Sequence, residues 1–213
     1  MELDVTQIPL GAAATNCYLV RARGAPEAVV VDPGDNAAGL RLELARVGAR
    51  CTAILITHGH WDHLGGVADL AEGTNAPVHM AEGERALLEN INDYVPPGFR
   101  LRPYTPDVLL AGDETLELAG LTWQTLRVPG HSPAHLAYTC QGALFSGDVL
   151  FAGSVGRTDL PGSDPDLLAA SLAALAERFP PETVVYPGHG PPTTIGDEFA
   201  MNPFLADLRA ASR

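Results

Sequence analysis

Lysine is missing from this chain: all thirteen basic residues are arginine, set against 26 aspartates and glutamates, and the formal charge is −13. No lysine can act as a nucleophile, form a Schiff base or anchor an anion. The acidic balance argues against a nucleic-acid backbone or an anionic membrane as partner. Cysteine is scarce. Cys17, Cys51 and Cys140 are odd in number and lack metal-type spacing, and three reduced core thiols are the expectation. No apolar run approaches the ~20 residues of a membrane span. The start Met1-Glu2-Leu3-Asp4 has neither a basic nor an apolar signal region, so a cytoplasmic location is expected. At 213 residues and 46% hydrophobic, one domain over 1–213 is expected, large enough to bury a substantial core.

Histidine, by contrast, is concentrated. Three of the seven histidines and an aspartate lie in Thr57-His58-Gly59-His60-Trp61-Asp62-His63, directly after the apolar β-branched run Ala53-Ile54-Leu55-Ile56, which reads as a buried strand. Imidazole and carboxylate donors suit zinc, iron or manganese. His58 and His60, two apart on an extended segment, project the same way. Asp62 and His63 follow as the chain turns and can face a second ion. Four donors so close together exceed what one tetrahedral site with an open position needs.

Along the chain, Glu2 to Ile8, Thr15 to Val20 and Ala28 to Asp32 read as strands, and residues 36–48 as a helix ending at Gly48. Asp32, at a strand end before Pro33-Gly34, either caps the turn or braces a metal ligand. A helix follows from Val67, then a short strand Pro77 to Met80 carrying His79, read as structural, and a helical stretch over 82–91. The proline-rich segment 92–106 is long for a loop, so it is a functional rim or a disordered insert. Its Arg100 and Arg102 are candidate anion contacts, with solvated arginines as the plainer reading. The second half resumes the strand pattern at Glu114 to Leu118, Leu121 to Val128, His135 to Cys140, Ala143 to Ser146 and Thr183 to Tyr186. A helix over about 164–179 opens on Asp164-Pro165, and a terminal helix is expected from 196 with a break near Pro203.

His58, His131, Asp148 and His189 each lie just past a separate apolar strand and beside glycine. Two halves of strands and helices suggest an α/β (α+β) αββα four-layer sandwich. If these strand ends share one edge, seven donors converge. His58, His60 and His131 would hold one ion, Asp62, His63 and His189 a second, and Asp148 would bridge. His135 is either a bracing group for a ligand or a polar strand start. The pattern His58-x-His60-x-Asp62-His63 with His131, Asp148 and His189 resembles the metallo-β-lactamase superfamily over nearly the whole chain. Pro129-Gly130-His131-Ser132-Pro133-Ala134-His135, Ser146-Gly147-Asp148, Gly156-Arg157-Thr158-Asp159-Leu160 and Pro187-Gly188-His189-Gly190-Pro191 resemble its glyoxalase II (hydroxyacylglutathione hydrolase) branch, in its short bacterial form.

The resemblance implies the αββα fold and two divalent ions, zinc first, with iron or manganese as options. The partner it implies is a small acyl thioester such as S-lactoylglutathione, cleaved by a water made nucleophilic between the ions. Asp62 would orient that water and Asp148 hold both ions. Monomer and homodimer both stay open. Two departures bear on the thiol carrier: only 24 residues follow His189, so the C-terminal helical domain of the longer enzymes is not expected, and the lysine they use for the glutathione carboxylate has no counterpart among the 213 residues. Gly156-Arg157-Thr158-Asp159 is also similar to the persulfide dioxygenases, with one iron on His58 or His60, His131 and Asp148. β-Lactam hydrolysis is disfavoured by Asp148, where zinc β-lactamases carry cysteine, and a non-catalytic metal-binding protein by the complete donor set. Arg157 and Asp159 read as an ion pair under the site floor or as a substrate contact.

Overall fold

The structure is a computed structural model that describes residues 2–206 and 208. Strands β1 (Leu3–Leu10), β2 (Thr15–Ala22) and β3 (Glu27–Val31) form an antiparallel meander. Helix α1 (Ala37–Arg46) then returns the chain to β4 (Arg50–Leu55), parallel to β3. Helices α2 (Trp61–Leu64) and α3 (Val67–Thr74) lead to β5 (Val78–Ala81). After α4 (Arg85–Glu89) and the long loop, β6 (Val108–Leu110) closes a six-stranded sheet in the order β1 to β6.

The second sheet holds β7 (Thr115–Leu118), β8 (Leu121–Arg127), β9 (Leu136–Cys140) and β10 (Ala143–Gly147) as antiparallel neighbours. A short hairpin, β11 (Leu150–Phe151) with β12 (Ser154–Val155), and helix α5 (Pro165–Arg178) precede β13 (Val184–Pro187), which pairs parallel to β10. Then β14 (Thr193–Thr194) runs into α6 (Ile195–Met201). The sheet order is β14-β13-β10-β9-β8-β7.

Three apolar layers separate four structural ones. Tyr18, Val29, Leu55, Trp123, Tyr138 and Phe145 pack between the sheets. Leu40, Leu44, Val67 and Leu70 cover the outer face of the first sheet through α1 and α3. Leu168, Leu172 and Leu175 of α5, one helical face by spacing, cover the second. This is the expected αββα sandwich. The Asp164 carboxylate caps α5, accepting from Asp166 and Leu167 N–H at 2.9 and 3.0 Å, with Pro165 in the first turn. All three cysteines are free and buried.

The differences are local. The single helix expected over 82–91 is broken: a 3₁₀ turn at Glu82–Glu84, the five-residue α4 and a second turn at Ile91–Asp93. Glu84 is pulled inward there by bonds that a straight surface helix could not make. Strand β6 went unread because Val108–Leu110 is three residues long and follows a proline-rich segment. The 92–106 stretch is a rim, its Phe99 ring 5.1 Å from Trp61. The terminal helix expected from 196 is α6, Ile195–Met201, and a 3₁₀ turn at Pro203–Leu205 follows where the break near Pro203 was expected; the rest of that expectation lies largely outside the described residues. Among the described residues no helix is long and apolar enough to cross a membrane.

Candidate metal centre

The parallel pairings β3–β4 and β10–β13 put the carboxyl ends of each pair at one edge of its sheet, and the donors that follow these strands meet across the sandwich. Ligands collect at such edges, where backbone leaves the sheet and side chains project beyond it. The turn after β4 presents His58, His60, Asp62 and His63, the loop after β8 His131, the end of β10 Asp148, and the loop after β13 His189. The structure brings all seven together. Within 4.8 Å of one another lie donor atoms of three groups: His58, His60 and His131; His58, His63 and Asp148; Asp62, His63 and His189.

Proton bookkeeping shows what the first group suits. Thr57 Oγ donates to Asp32 Oδ2 at 2.7 Å and so accepts from His58 Nδ1 at 3.0 Å. His131 Nδ1 donates to the Arg157 carbonyl at 2.9 Å. Both Nε2 atoms are therefore lone pairs, and they point at His60 Nδ1 from 3.1 and 2.9 Å. His60 has one proton at most to offer there, so hydrogen bonds cannot satisfy all three nitrogens, whereas one cation can. The spacing is close to the ~3.3 Å edge of a tetrahedron with ~2.0–2.1 Å metal–nitrogen bonds. In the second group, His63 Nε2 and Asp148 Oδ1 are buried and, among the described residues, without a hydrogen-bond partner, though only 3.4 Å apart. Two orphaned donors that face each other this closely are a pair that one shared cation would satisfy. The donor set thus fits a pair of divalent ions.

Asp148 reaches both groups: Oδ1 lies 3.4 Å from His63 Nε2, and Oδ2 lies 3.5 Å from both His131 Nε2 and His189 Nε2. Glycine permits this closeness. A Cβ on Gly188 would sit 2.0 Å from Asp148 Oδ1, and Gly147, at φ 51°, leaves no room for one against His135 and Thr57. Burial and the neighbouring histidines hold His58 well below the usual imidazole range and bring His60 to about 4. Burial opposes a charge on His63 too, but Asp148 and Asp32 outweigh it and lift that imidazole well above its usual range. The carboxylates of Asp148 and Asp62 raise His189 to about 9.

Asp32 braces ligands. Its Oδ2 accepts from His63 Nδ1 at 2.9 Å as well as from Thr57, and its Oδ1 accepts the Thr57 N–H at 2.8 Å. One buried carboxylate therefore fixes His63 directly and His58 through a hydroxyl. His135 is bracing too: its Nε2 accepts the Asp148 N–H at 3.1 Å, and its ring stacks on His58 at 4.6 Å. His79, on β5, belongs to none of the groups.

Several supports went unread in the sequence. Thr15 Oγ donates to Asp62 Oδ2 at 2.7 Å. Asn16 Nδ2 and the Tyr18 hydroxyl both donate to the Pro187 carbonyl, fixing the His189 loop. The polar pair Thr15-Asn16 at the start of a largely buried strand is the available signal. Glu84, fully buried, gave none, because its neighbours Gly83 and Arg85 read as solvent-facing.

The centre floors a cleft of about 610 Å³ whose walls include Trp61, Leu87, Tyr94, Leu160 and Pro161. Among the described residues, Arg157 is the one cationic side chain along it other than the histidines. The pair Arg157–Asp159 is not under the floor: the two side chains are 62% and 67% exposed and meet at 2.6 Å at the mouth. Arg102 pairs with Asp69 and Glu72 on α3, away from the cleft, and Arg100 does not line it.

The family model described as the metallo-beta-lactamase superfamily matches residues 10–189. The chain belongs to the metallo-beta-lactamase superfamily. Among its relatives is the hydroxyacylglutathione hydrolase GloC of Haemophilus influenzae, 31% identical over 212 residues that cover 95% of this chain and 98% of that one. Among solved structures, BLEG-1 B3 metallo-beta-lactamase is 40% identical with a TM-score of 0.90, covering 95% of this chain and 100% of that one. TTHA1623 in a di-iron-bound form is 42% identical with a TM-score of 0.78, at 94% and 100% coverage. Membership in this metallo-hydrolase superfamily agrees with the donor set found at the sheet edge.

Proposed function

We propose that the chain is a two-metal hydrolase of small acyl thioesters, of the hydroxyacylglutathione hydrolase kind, with zinc first among its metals and iron or manganese as alternatives. The observation that carries this reading is the reach of Asp148 to both donor groups, a bridging arrangement that one ion would not need. When bound, two such ions supply a nucleophilic water at neutral pH and polarise the scissile carbonyl. His58, His60 and His131 would hold one ion, Asp62, His63 and His189 the other, with Asp148 shared.

The remaining work falls to side chains. Asp62, held by Thr15 and 3.3 Å from His189, orients the attacking water and takes its proton. The apolar wall of Trp61, Leu87, Tyr94 and Leu160 receives the acyl group and thins the water around it. A thiolate is a good leaving group, so no strong acid need stand beside it. Arg157 is the group available for an anionic end of the thiol carrier. The likeness to GloC supports the thioester class.

β-Lactam hydrolysis is the second reading, favoured by the likeness to BLEG-1. A mono-iron persulfide dioxygenase would leave the Asp62, His63 and His189 group without a task. Metal analysis of protein purified without chelator, followed by assays of S-lactoylglutathione and other acyl thioesters, a β-lactam panel, and oxygen uptake with glutathione persulfide, separates the three. Thioester hydrolysis without oxygen use at two metals per chain is expected. Lactam turnover alone, or oxygen consumption at one iron per chain, overturns the proposal.

A further inference from the structure

We propose that Glu84 is a positioning residue that sets the metal affinity of the three-histidine group. Glu84 has no exposed surface. Its Oε2 accepts the Gly59 N–H at 3.0 Å, and its Oε1 accepts both the Ser132 hydroxyl at 2.7 Å and the Ala134 N–H at 2.9 Å. Gly59 is the residue between His58 and His60. Ser132 and Ala134 flank the turn just past His131. One carboxyl group therefore ties together two segments more than seventy residues apart in sequence, and these adjoin all three histidines of one group, whereas Asp62 and His63 lie farther along, on α2, and Asp148 and His189 follow other strands. A carboxyl is costly to bury unless every lone pair it presents is used. Here three donors use them, and none of the three is a cation.

The fit is tight on the histidine side. A Cβ on Gly59 would come within 2.8 Å of Glu84 Oε2 and 2.4 Å of Leu87, so the turn lies flat against the carboxyl. Tilting the Gly59 peptide rotates His58 and His60 relative to each other, and their nitrogens, 3.1 Å apart, define one edge of the site. The other donor group is braced elsewhere, Asp62 by Thr15 and His63 by Asp32. Loss of Glu84 should therefore be felt by one ion and not the other.

Glutamine makes the test sharp. The Gly59 and Ala134 N–H groups can only donate, and they address different oxygens of Glu84. A glutamine amide must turn its NH₂ towards one of them, so Glu84→Gln opposes donor to donor in either orientation while keeping size and shape.

The inference rests on the two-metal reading, and the experiment separates the two. Metal-stripped wild type and E84Q are titrated with zinc against a chromophoric chelator, with cobalt substitution to tell the all-nitrogen site from the mixed one by its spectrum. The three-histidine site in E84Q is expected to weaken about 10–100-fold, as supporting partners of metal ligands typically do, with the other site within about threefold. Equal weakening of both sites, as a merely structural role would give, overturns the proposal, as does no change in either. Wild type that binds fewer than two zinc ions defeats the underlying two-metal reading as well. Should E84Q fail to fold, Ser132→Ala, which removes one donor from Oε1, is titrated in its place. A selective loss of several-fold supports the proposal and unchanged affinity overturns it.

Discussion

Replacing Asp32 by asparagine should weaken both donor groups while leaving the backbone intact. Asp32 sits at φ 50°, a left-handed conformation that Asp and Asn tolerate better than other side chains, so the substitution adds no strain of its own. The carboxylate accepts three bonds: Thr57 N–H on Oδ1, and Thr57 Oγ–H with His63 Nδ1 on Oδ2. An amide can keep only one of those faces. With its NH₂ on the Oδ1 side it opposes the Thr57 N–H, leaving a buried donor unpaired at about 1–3 kcal/mol. With its NH₂ on the Oδ2 side it opposes His63 Nδ1–H, and the imidazole answers by moving its proton to Nε2, the nitrogen that faces the ion. Either outcome also removes the charge that strengthens these bonds. A fall in metal affinity of about 10–100-fold follows, or roughly 1.4–2.7 kcal/mol, and it should reach the three-histidine group through Thr57 and His58. Zinc titration of the stripped variant, beside its thermal unfolding, measures both sites. D32N with both affinities within twofold of wild type would refute the bracing role.

Asp148→Ala should lower occupancy of both sites, whereas His131→Ala should empty mainly one, measured as metals per chain by elemental analysis. Gly188→Ala should displace the shared carboxylate, since its Cβ would stand 2.0 Å from Asp148 Oδ1; turnover should fall at least tenfold with only a small change in far-ultraviolet circular dichroism. Away from the site, burial pushes the Glu114 carboxyl up, but the Thr125 hydroxyl and the Ala111 and Gly112 N–H groups outweigh it and bring it from 4.5 to about 2. A depressed carboxyl contributes stability above its unfolded value and loses it as pH falls through the folded one. Wild type should therefore lose about 1–2 kcal/mol relative to Glu114→Gln between pH 4.5 and 2, a figure discounted for solvent screening, in urea unfolding followed across that range.

The donor residues were legible because they are local and chemically distinctive. His58 to His63 follow a β-branched run, and His131, Asp148 and His189 each follow an apolar strand and stand beside glycine. The strands and the α5 cap were legible from alternation and from Asp164-Pro165. What holds the donors was not. Asp32 was open between two readings until the turn after β4 was seen to lie against it. Glu84 carries no local mark, because its partners come from loops that only the packing of the two sheets brings close. His135 is ambiguous for the same reason: its ring nitrogen Nε2 accepts from a backbone N–H thirteen residues away. The Arg157–Asp159 ion pair is real but exposed, because a motif does not say which way its side chains face.

The first sheet supplies His58, His60, Asp62 and His63, and the second supplies His131, Asp148 and His189, so any ion bound here is a rivet driven through the seam of the sandwich. Its binding energy is then also cohesion between the two halves. A cell poor in the right metal would meet a chain both idle and less firmly closed, and therefore easier for a protease to open.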